Sequence, residues 1–323
     1  MNKKMIVLVD WIQASSEFQE CLEQFRRFDI QYKSEDELAE QDFNETEILV
    51  GKCTHDLLPR FQSLKWLQLT SAGTDGYTTP GVLPEGALLT NATGTYGLTI
   101  SEYLIGTTLL MQRKFHRYLD NQRQNLWQSE GEIQSIFGST FLIVGLGDIG
   151  TELAKRVKAL GGYTIGIKRT IYGNEEYVDE VYTNEELDRQ IPRADVIVSS
   201  VPNTPETLKM YNADRFANMK ESTIFINVGR GNAVDTEALC DVLEKGQLQG
   251  AVLDVTDPEP LPKEHRAWQT PNLVITPHVS GNYALKETKN RFIKLLTTNM
   301  AHYMANETLQ SEVDFQTGYS KKK

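Results

Sequence analysis

Apolar residues along the chain fall into short runs separated by polar stretches at helical spacing. In the first hundred residues the runs Met5–Val9, Glu47–Val50, Trp66–Leu69 and Leu88–Thr90 read as strands. Ser15–Phe28 reads as an amphipathic helix and His55–Phe61 as a short one. This alternation predicts a small parallel α/β domain. Thr99–Trp127 is the longest helical stretch, with Thr99 a cap and Glu102 three residues on. A helix of that length is expected to bridge two domains or to pack against another subunit. Strand–helix alternation resumes at Phe141–Val144 and continues through Tyr163–Ile167, Val196–Val201, Ile224–Val228, Ala251–Val255 and Leu273–Thr276. Helices are expected between these strands at Glu185–Arg189, Ala213–Met219 and Thr236–Lys245. Six strands are the number of a complete doubly wound dinucleotide-binding sheet. A last helix, about Asn282–Ala305, has no strand partner left there and is expected to return to the first domain. The tail Ser320–Lys323 reads as frayed and solvated.

The pattern is most informative at Phe141–Gly150, FLIVGLGDIG. A strand buried on both faces leads into Gly145, Gly147 and Gly150, and then into a helix with Leu153, Val157 and Leu160 on one face. Glycines at this spacing suit a tight turn where a diphosphate meets backbone N–H groups at a helix N-terminus. Three such glycines alone are a weak signal. Between a buried strand and an amphipathic helix, with a second strand following, they are a strong one.

Composition narrows the function. The chain has 323 residues, enough for two domains, with 40% hydrophobic and 24% charged residues. A net charge of −11 argues against nucleic acid or an anionic membrane as partner. The apolar run after Asn2-Lys3-Lys4 is too short for a secretory signal or a membrane span. Three cysteines, Cys21, Cys53 and Cys240, are widely spaced and show no metal-ligand pattern. They read as free thiols in a reducing compartment, so the expected location is the cytoplasm and no metal site is expected.

Six motifs in order carry a resemblance over nearly the whole chain. They are Ser71-Ala72-Gly73-Thr74-Asp75, the Gly145–Gly150 loop, Val201-Pro202-Asn203-Thr204-Pro205-Glu206-Thr207, Asn227-Val228-Gly229-Arg230-Gly231, Leu253-Asp254-Val255 through Glu259-Pro260, and Thr276-Pro277-His278. In these the chain resembles the D-isomer-specific 2-hydroxyacid dehydrogenases. The resemblance implies two doubly wound parallel-sheet domains, a Rossmann dinucleotide-binding domain (98–283) inserted into a flavodoxin-like substrate domain (1–97, completed by 284–323). It implies hydride transfer from a nicotinamide dinucleotide to the keto carbon of a 2-oxo acid, giving a D-2-hydroxy acid, and a homodimer built on the long helix and its loop.

Arg230 follows a buried strand between two glycines, and its guanidinium fork matches a carboxylate or an α-keto oxygen pair. His278 also follows a strand, and histidine can protonate the alkoxide that hydride transfer leaves. The resemblance makes Glu259 the partner that holds the His278 ring and favours its protonated form. Asp257 is a nearby rival carboxylate off the motif. His55, His116, His265 and His302 have settings that read as structural or solvated.

Cofactor contacts are implied for Gly145, Gly147, Asp148, Ile149 and Gly150, for Val201, Pro202 and Thr207, for Val228 and Gly229, and for Asp254 at the nicotinamide carboxamide. Backbone N–H groups of Ala72 and Gly73, with Ser71 beside them and Arg230, are implied for the substrate carboxylate. After the second strand, an NAD site wants an acidic residue toward the ribose hydroxyls. This chain has Lys168, Arg169 and Thr170 instead, two cations and a hydroxyl where a 2′-phosphate would lie. The cofactor expected is therefore NADP, with NAD possible. Tyr96, Trp127 and Trp268 could line a pocket or simply pack, and packing is favoured for Trp268. Two alternatives stay open: an NAD-dependent dehydrogenase of phosphoglycerate type, and a dinucleotide-sensing regulatory protein on the same scaffold. The formate-dehydrogenase branch fits less well, because it has glutamine where this chain has Glu259.

Overall fold

The protein is described from a computed structural model, which covers residues 3–171, 173, 175–316 and 318. The Ser320–Lys323 tail lies outside the described residues. The chain divides into two compact units. One holds the residues up to Tyr96 together with those from Tyr283 onward, and the other is Gly97–Asn282.

The first unit is built on β1 (Lys3–Val7), β2 (Phe28–Tyr32), β3 (Thr46–Val50), β4 (Trp66–Gln68) and β5 (Leu88–Thr90). All pair in parallel in the order β2-β1-β3-β4-β5, a flavodoxin-like winding. Sequence pattern missed β2, and the stretch expected as one helix over Ser15–Phe28 is shorter. The helix runs Ser16–Cys21, a 3₁₀ turn covers Leu22–Phe25, and Phe28 opens the strand. The strand alternates only partly and sits at the sheet edge, so its apolar period is faint. The last helix, Lys286–Ala305, belongs to this unit. Its Asn299 donates to Gln68 Oε1 at 3.0 Å, and Tyr303 stacks on Trp66 with ring centroids 5.4 Å apart.

The second unit holds β6 (Thr140–Val144), β7 (Tyr163–Ile167), β8 (Glu180–Tyr182), β9 (Val196–Ser199), β10 (Ile224–Asn227), β11 (Gly250–Leu253) and β12 (Leu273–Ile275). They form one parallel sheet in the order β12-β11-β10-β9-β6-β7-β8. The six expected strands are present, and β8 is a seventh. Its sequence, Glu-Val-Tyr, is too short and polar to register as a run. The central strands β9, β10 and β11 are buried throughout, which explains their unbroken apolar character.

The long helix expected over Thr99–Trp127 is two helices, Gly97–Gln112 and Phe115–Arg123. Lys114 breaks it in the left-handed region at φ 57°. Glu130 holds the break from downstream. Lys114 Nζ donates to the Glu130 carbonyl at 2.6 Å, and Asn121 donates to Glu130 Oε1 at 2.6 Å. No glycine or proline marks the site, so the sequence pattern ran through it. The first helix belongs to the second unit alone. It buries Ile100, Leu104, Thr108 and Met111, and it packs on Asp148–Ala159 of that unit.

Candidate active site

The dinucleotide turn follows β6 as the pattern requires. Gly145 adopts φ +101°, and a Cβ there would lie 2.9 Å from the Ser200 carbonyl. A Cβ on Gly150 would lie 2.4 Å from the Gly145 carbonyl, so this glycine lets the helix Asp148–Ala159 close on the turn. Gly147 faces open space. The first amides of this twelve-residue helix thus point at a place a diphosphate can reach. Asp148's carboxylate accepts from Gly97 N at 2.9 Å. Around the same strand ends, Val201 and Val228 are buried. The Thr207 hydroxyl donates to the Pro202 carbonyl at 2.7 Å, so its side chain shapes the 202–207 loop.

Beyond β7, Arg169 and Thr170 are exposed, while Lys168 is half-buried and engaged. Its Nζ lies 2.8 Å from Oε1 of Glu175, whose other carboxylate oxygen accepts from Gly173 N at 3.0 Å. Sequence reading missed Glu175. It lies seven residues beyond Lys168 in a polar loop, and only folding brings the two together.

Arg230 leaves β10 on a turn fixed by Asn227, whose side chain is fully buried. Asn227 Oδ1 accepts from Gly229 N at 3.1 Å, and Nδ2 donates to the Arg230 carbonyl at 2.9 Å. Arg230 Nη1 donates to the Gly229 carbonyl at 2.8 Å. On either side the chain is packed too closely for side chains. A Cβ on Gly229 would lie 2.5 Å from the Val201 carbonyl, and one on Gly231 would lie 2.0 Å from that of Thr256. The second contact seats the Arg230 turn on the loop that carries Glu259.

Glu259 Oε2 lies 3.0 Å from His278 Nδ1, and its Oε1 accepts from Thr256 N at 3.1 Å. Glu259, not Asp257, therefore meets the ring. His278 sits at φ 52°, and its own N–H donates to the Asp254 carbonyl at 2.8 Å. Asp254 is buried, and its carboxylate accepts from the Thr276 hydroxyl (2.6 Å), Val279 N (2.9 Å) and Ser280 N (3.0 Å). The Thr276 hydroxyl in turn accepts from the Tyr103 phenol at 2.6 Å, a phenol that burial pushes up to about 12. Asp254 is thus the anchor of the His278 turn, a role that sequence did not disclose.

In the first unit, Ser71, Ala72 and Gly73 follow β4, with Ala72 exposed. Each of the four other histidines makes a contact of its own. His116 meets Asn272 Oδ1 at 3.3 Å, His265 caps Ala267 N at 3.1 Å, His302 meets the Thr308 carbonyl at 3.0 Å, and His55 packs edge-on against Tyr77. Trp268 donates to the Pro262 carbonyl at 2.9 Å, Tyr96 is buried, and Trp127 is fully exposed. Among the described residues no cluster of His, Cys, Asp and Glu could hold a metal ion, and no helix is long and apolar enough to cross a membrane.

Known proteins resemble this chain in sequence and in fold. A family model described as "D-isomer specific 2-hydroxyacid dehydrogenase, NAD binding domain" matches residues 105–280. A glycerate dehydrogenase of Methylorubrum extorquens is 30% identical, covering 78% of this chain and 80% of the relative. A crystal structure of a D-isomer specific 2-hydroxyacid dehydrogenase family protein from Aeromonas salmonicida superposes with a TM-score of 0.86 at 33% identity, covering 98% of this chain and all of that one. An NADPH-dependent glyoxylate/hydroxypyruvate reductase of Sinorhizobium meliloti, solved with NADP and sulfate, superposes with a TM-score of 0.84 at 28% identity, again covering 98% of this chain and all of that one. With its parallel sheets, glycine turn and Arg–Glu–His set, the chain belongs to the D-isomer-specific 2-hydroxyacid dehydrogenases, oxidoreductases that act on the CH–OH group of a 2-hydroxy acid with a nicotinamide dinucleotide.

Proposed function

We propose that the protein reduces a small 2-oxo acid to a D-2-hydroxy acid with NADPH. The observation that carries this reading is the 3.0 Å contact of Glu259 Oε2 with His278 Nδ1, on a loop packed against the Arg230 turn. The dinucleotide, when bound at the glycine turn, supplies hydride to the keto carbon. Arg230 holds the oxo acid and polarises its carbonyl. Amides of the Ser71–Gly73 loop take the carboxylate. His278, with Nδ1 engaged by Glu259, gives a proton from Nε2 to the oxygen as it gains negative charge. In the oxidative direction neutral His278 accepts that proton at Nε2.

The preference for NADPH rests on Lys168, Arg169 and Thr170 beyond β7. One observation favours a second reading, an NAD-dependent enzyme: Glu175 already holds Lys168 and offers a carboxylate near the expected ribose position. Following absorbance of NADPH and NADH against glyoxylate, hydroxypyruvate, pyruvate and branched-chain 2-oxo acids separates the two. Turnover with NADPH well above NADH supports the first reading, and the reverse supports the second. No turnover of any 2-oxo acid would overturn both and favour a sensing role.

The proposal includes a homodimer in the cytoplasm. Free Cys21, Cys53 and Cys240 suit a reducing compartment. Support for the dimer comes from the 115–137 segment, where Trp127 and Phe137 stand out, Phe137 78% exposed, with Phe115, Leu119, Leu126 and Ile133 also open. Light scattering is expected to give twice 36.6 kDa, and a mass of one chain would rule the dimer out.

A further inference from the structure

We propose that Tyr96 and Tyr283 are positioning residues that act through one atom, the Thr70 carbonyl oxygen, to fix the Ser71–Gly73 loop with its amides open to a substrate carboxylate. This rests on the reading of that loop as the carboxylate site. Both phenols donate to the Thr70 carbonyl, Tyr283 at 2.6 Å and Tyr96 in a shorter contact. The two residues are also where the chain leaves the first unit and where it re-enters it. Two donors on one carbonyl match its two lone pairs, and Thr70 is buried, so water is a poor substitute for either.

The next three carbonyls of the loop are also tied down. Ala92 N donates to Ser71 O at 2.9 Å, Asn91 Nδ2 to Ala72 O at 2.8 Å, and Ser71 Oγ to Gly73 O at 2.8 Å. With four successive carbonyls held by the protein, the N–H groups of Ser71, Ala72 and Gly73 have no acceptor among the described residues. A row of such N–H groups is a place for an anion.

Both phenols are braced. Tyr283 lies 4.7 Å from the Trp11 ring and 5.6 Å from each of the Phe292 and Tyr96 rings. Burial pushes the Tyr96 phenol up to about 12, so it remains a donor at neutral pH. Tyr283 is pushed up in the same direction, first by burial and then by Tyr96.

The test uses the full chain as Tyr96→Phe, Tyr283→Phe and the double variant. Each is assayed with the best 2-oxo acid of the panel and with its methyl ester. The parent should prefer the acid. In the double variant KM for the acid should rise about tenfold, while KM for the ester, kcat and nucleotide affinity stay within about threefold. The single variants, which each keep one donor on Thr70, should fall between. Unchanged acid preference in the double variant would overturn the proposal. So would equal losses with acid and ester, which mark general damage. If the double variant does not fold, the two single variants decide by the same comparison. A parent that uses the ester as well as the acid would instead overturn the reading of the loop as a carboxylate site.

Discussion

His278 Nδ1 and Glu259 Oε2 stand 3.0 Å apart, with the second carboxylate oxygen of Glu259 accepting from Thr256 N at 3.1 Å. The carboxylate is therefore fixed at both oxygens, and it faces only Nδ1 of the ring. A ring whose Nδ1–H is held by a carboxylate keeps Nε2 for chemistry, and the left-handed backbone at His278 sets where Nε2 points.

Removing the ring tests the proton donor. His278→Ala should lower kcat by roughly two to four orders of magnitude. NADPH affinity, read by fluorescence titration, should be kept, because the glycine turn is untouched. Glu259→Gln is a subtler probe. Its one carbonyl oxygen would go to Thr256 N, leaving an NH₂ group against Nδ1 and no charge beside an imidazolium. That variant should lose about tenfold or more in kcat with little change in nucleotide affinity. Near-parent turnover in His278→Ala would show that another group is the acid.

What the sequence showed of this machinery reflects locality. Runs such as Phe141–Val144 and Ile224–Asn227 are apolar because both faces of the sheet are covered, so periodicity alone located them. Arg230, Glu259 and His278 stood at strand ends or in marked motifs. Hidden features were those set by partners that only folding brings together. Lys114 turns left-handed because Glu130 receives it, and Glu175 meets Lys168 only once the loop after β7 has closed. Asp254 was legible as a polar residue ending a buried strand, but its three donors came from Thr276, Val279 and Ser280. The edge strands β2 and β8 failed for a different reason, since half-solvated strands carry little apolar signal.

The charges beyond β7 should decide cofactor choice. A 2′-phosphate gains charge-assisted hydrogen bonds from Lys168 and Arg169, worth together about tenfold or more in affinity. Replacing both with alanine should raise KM for NADPH by that factor and leave NADH nearly unchanged. Glu175→Gln should act in the opposite sense, since it removes a negative charge 2.8 Å from Lys168 Nζ that would repel the phosphate. Equal use of both nucleotides by the parent would sink the assignment.

Acid sensitivity should be traceable in part to Asp42. Burial alone would raise its carboxyl, but hydrogen bonds from Lys33 Nζ (2.7 Å) and Ala39 N (2.8 Å), with Lys4 Nζ at 3.0 Å, outweigh it and bring it down to about 2. A group depressed on folding stabilises the folded state above its ordinary value of 3.8, and that contribution is lost as pH falls toward 2. The shift corresponds to about 2 kcal/mol. Asp42→Asn should therefore melt lower than the parent at pH 6, and the gap should close as pH drops from about 4 to about 2. A gap that persists unchanged at the lowest pH would assign the loss to packing instead.

Gly231 should matter to proton transfer although it carries no side chain. A Cβ there would fall 2.0 Å from the carbonyl carbon and oxygen of Thr256, which are backbone atoms with no rotamer to escape by. Gly231→Ala must then push the Thr256 loop and the Arg230 turn apart. Thr256 is joined to the Glu259 loop twice, through its N–H to Glu259 Oε1 at 3.1 Å and its hydroxyl to the Pro258 carbonyl at 2.9 Å. Displacing it therefore moves the carboxylate that holds His278. The overpacking should cost about 1–3 kcal/mol of stability, visible as a lower melting temperature. It should also lower kcat by about tenfold or more, since a misplaced donor loses much of its advantage. A double variant separates the two effects. If Gly231 acts through Glu259, then Gly231→Ala combined with Glu259→Gln should reduce kcat little beyond the worse single variant, because both break the same link. Fully multiplicative losses in kcat would show instead that Gly231 serves Arg230 independently of the Glu259–His278 pair.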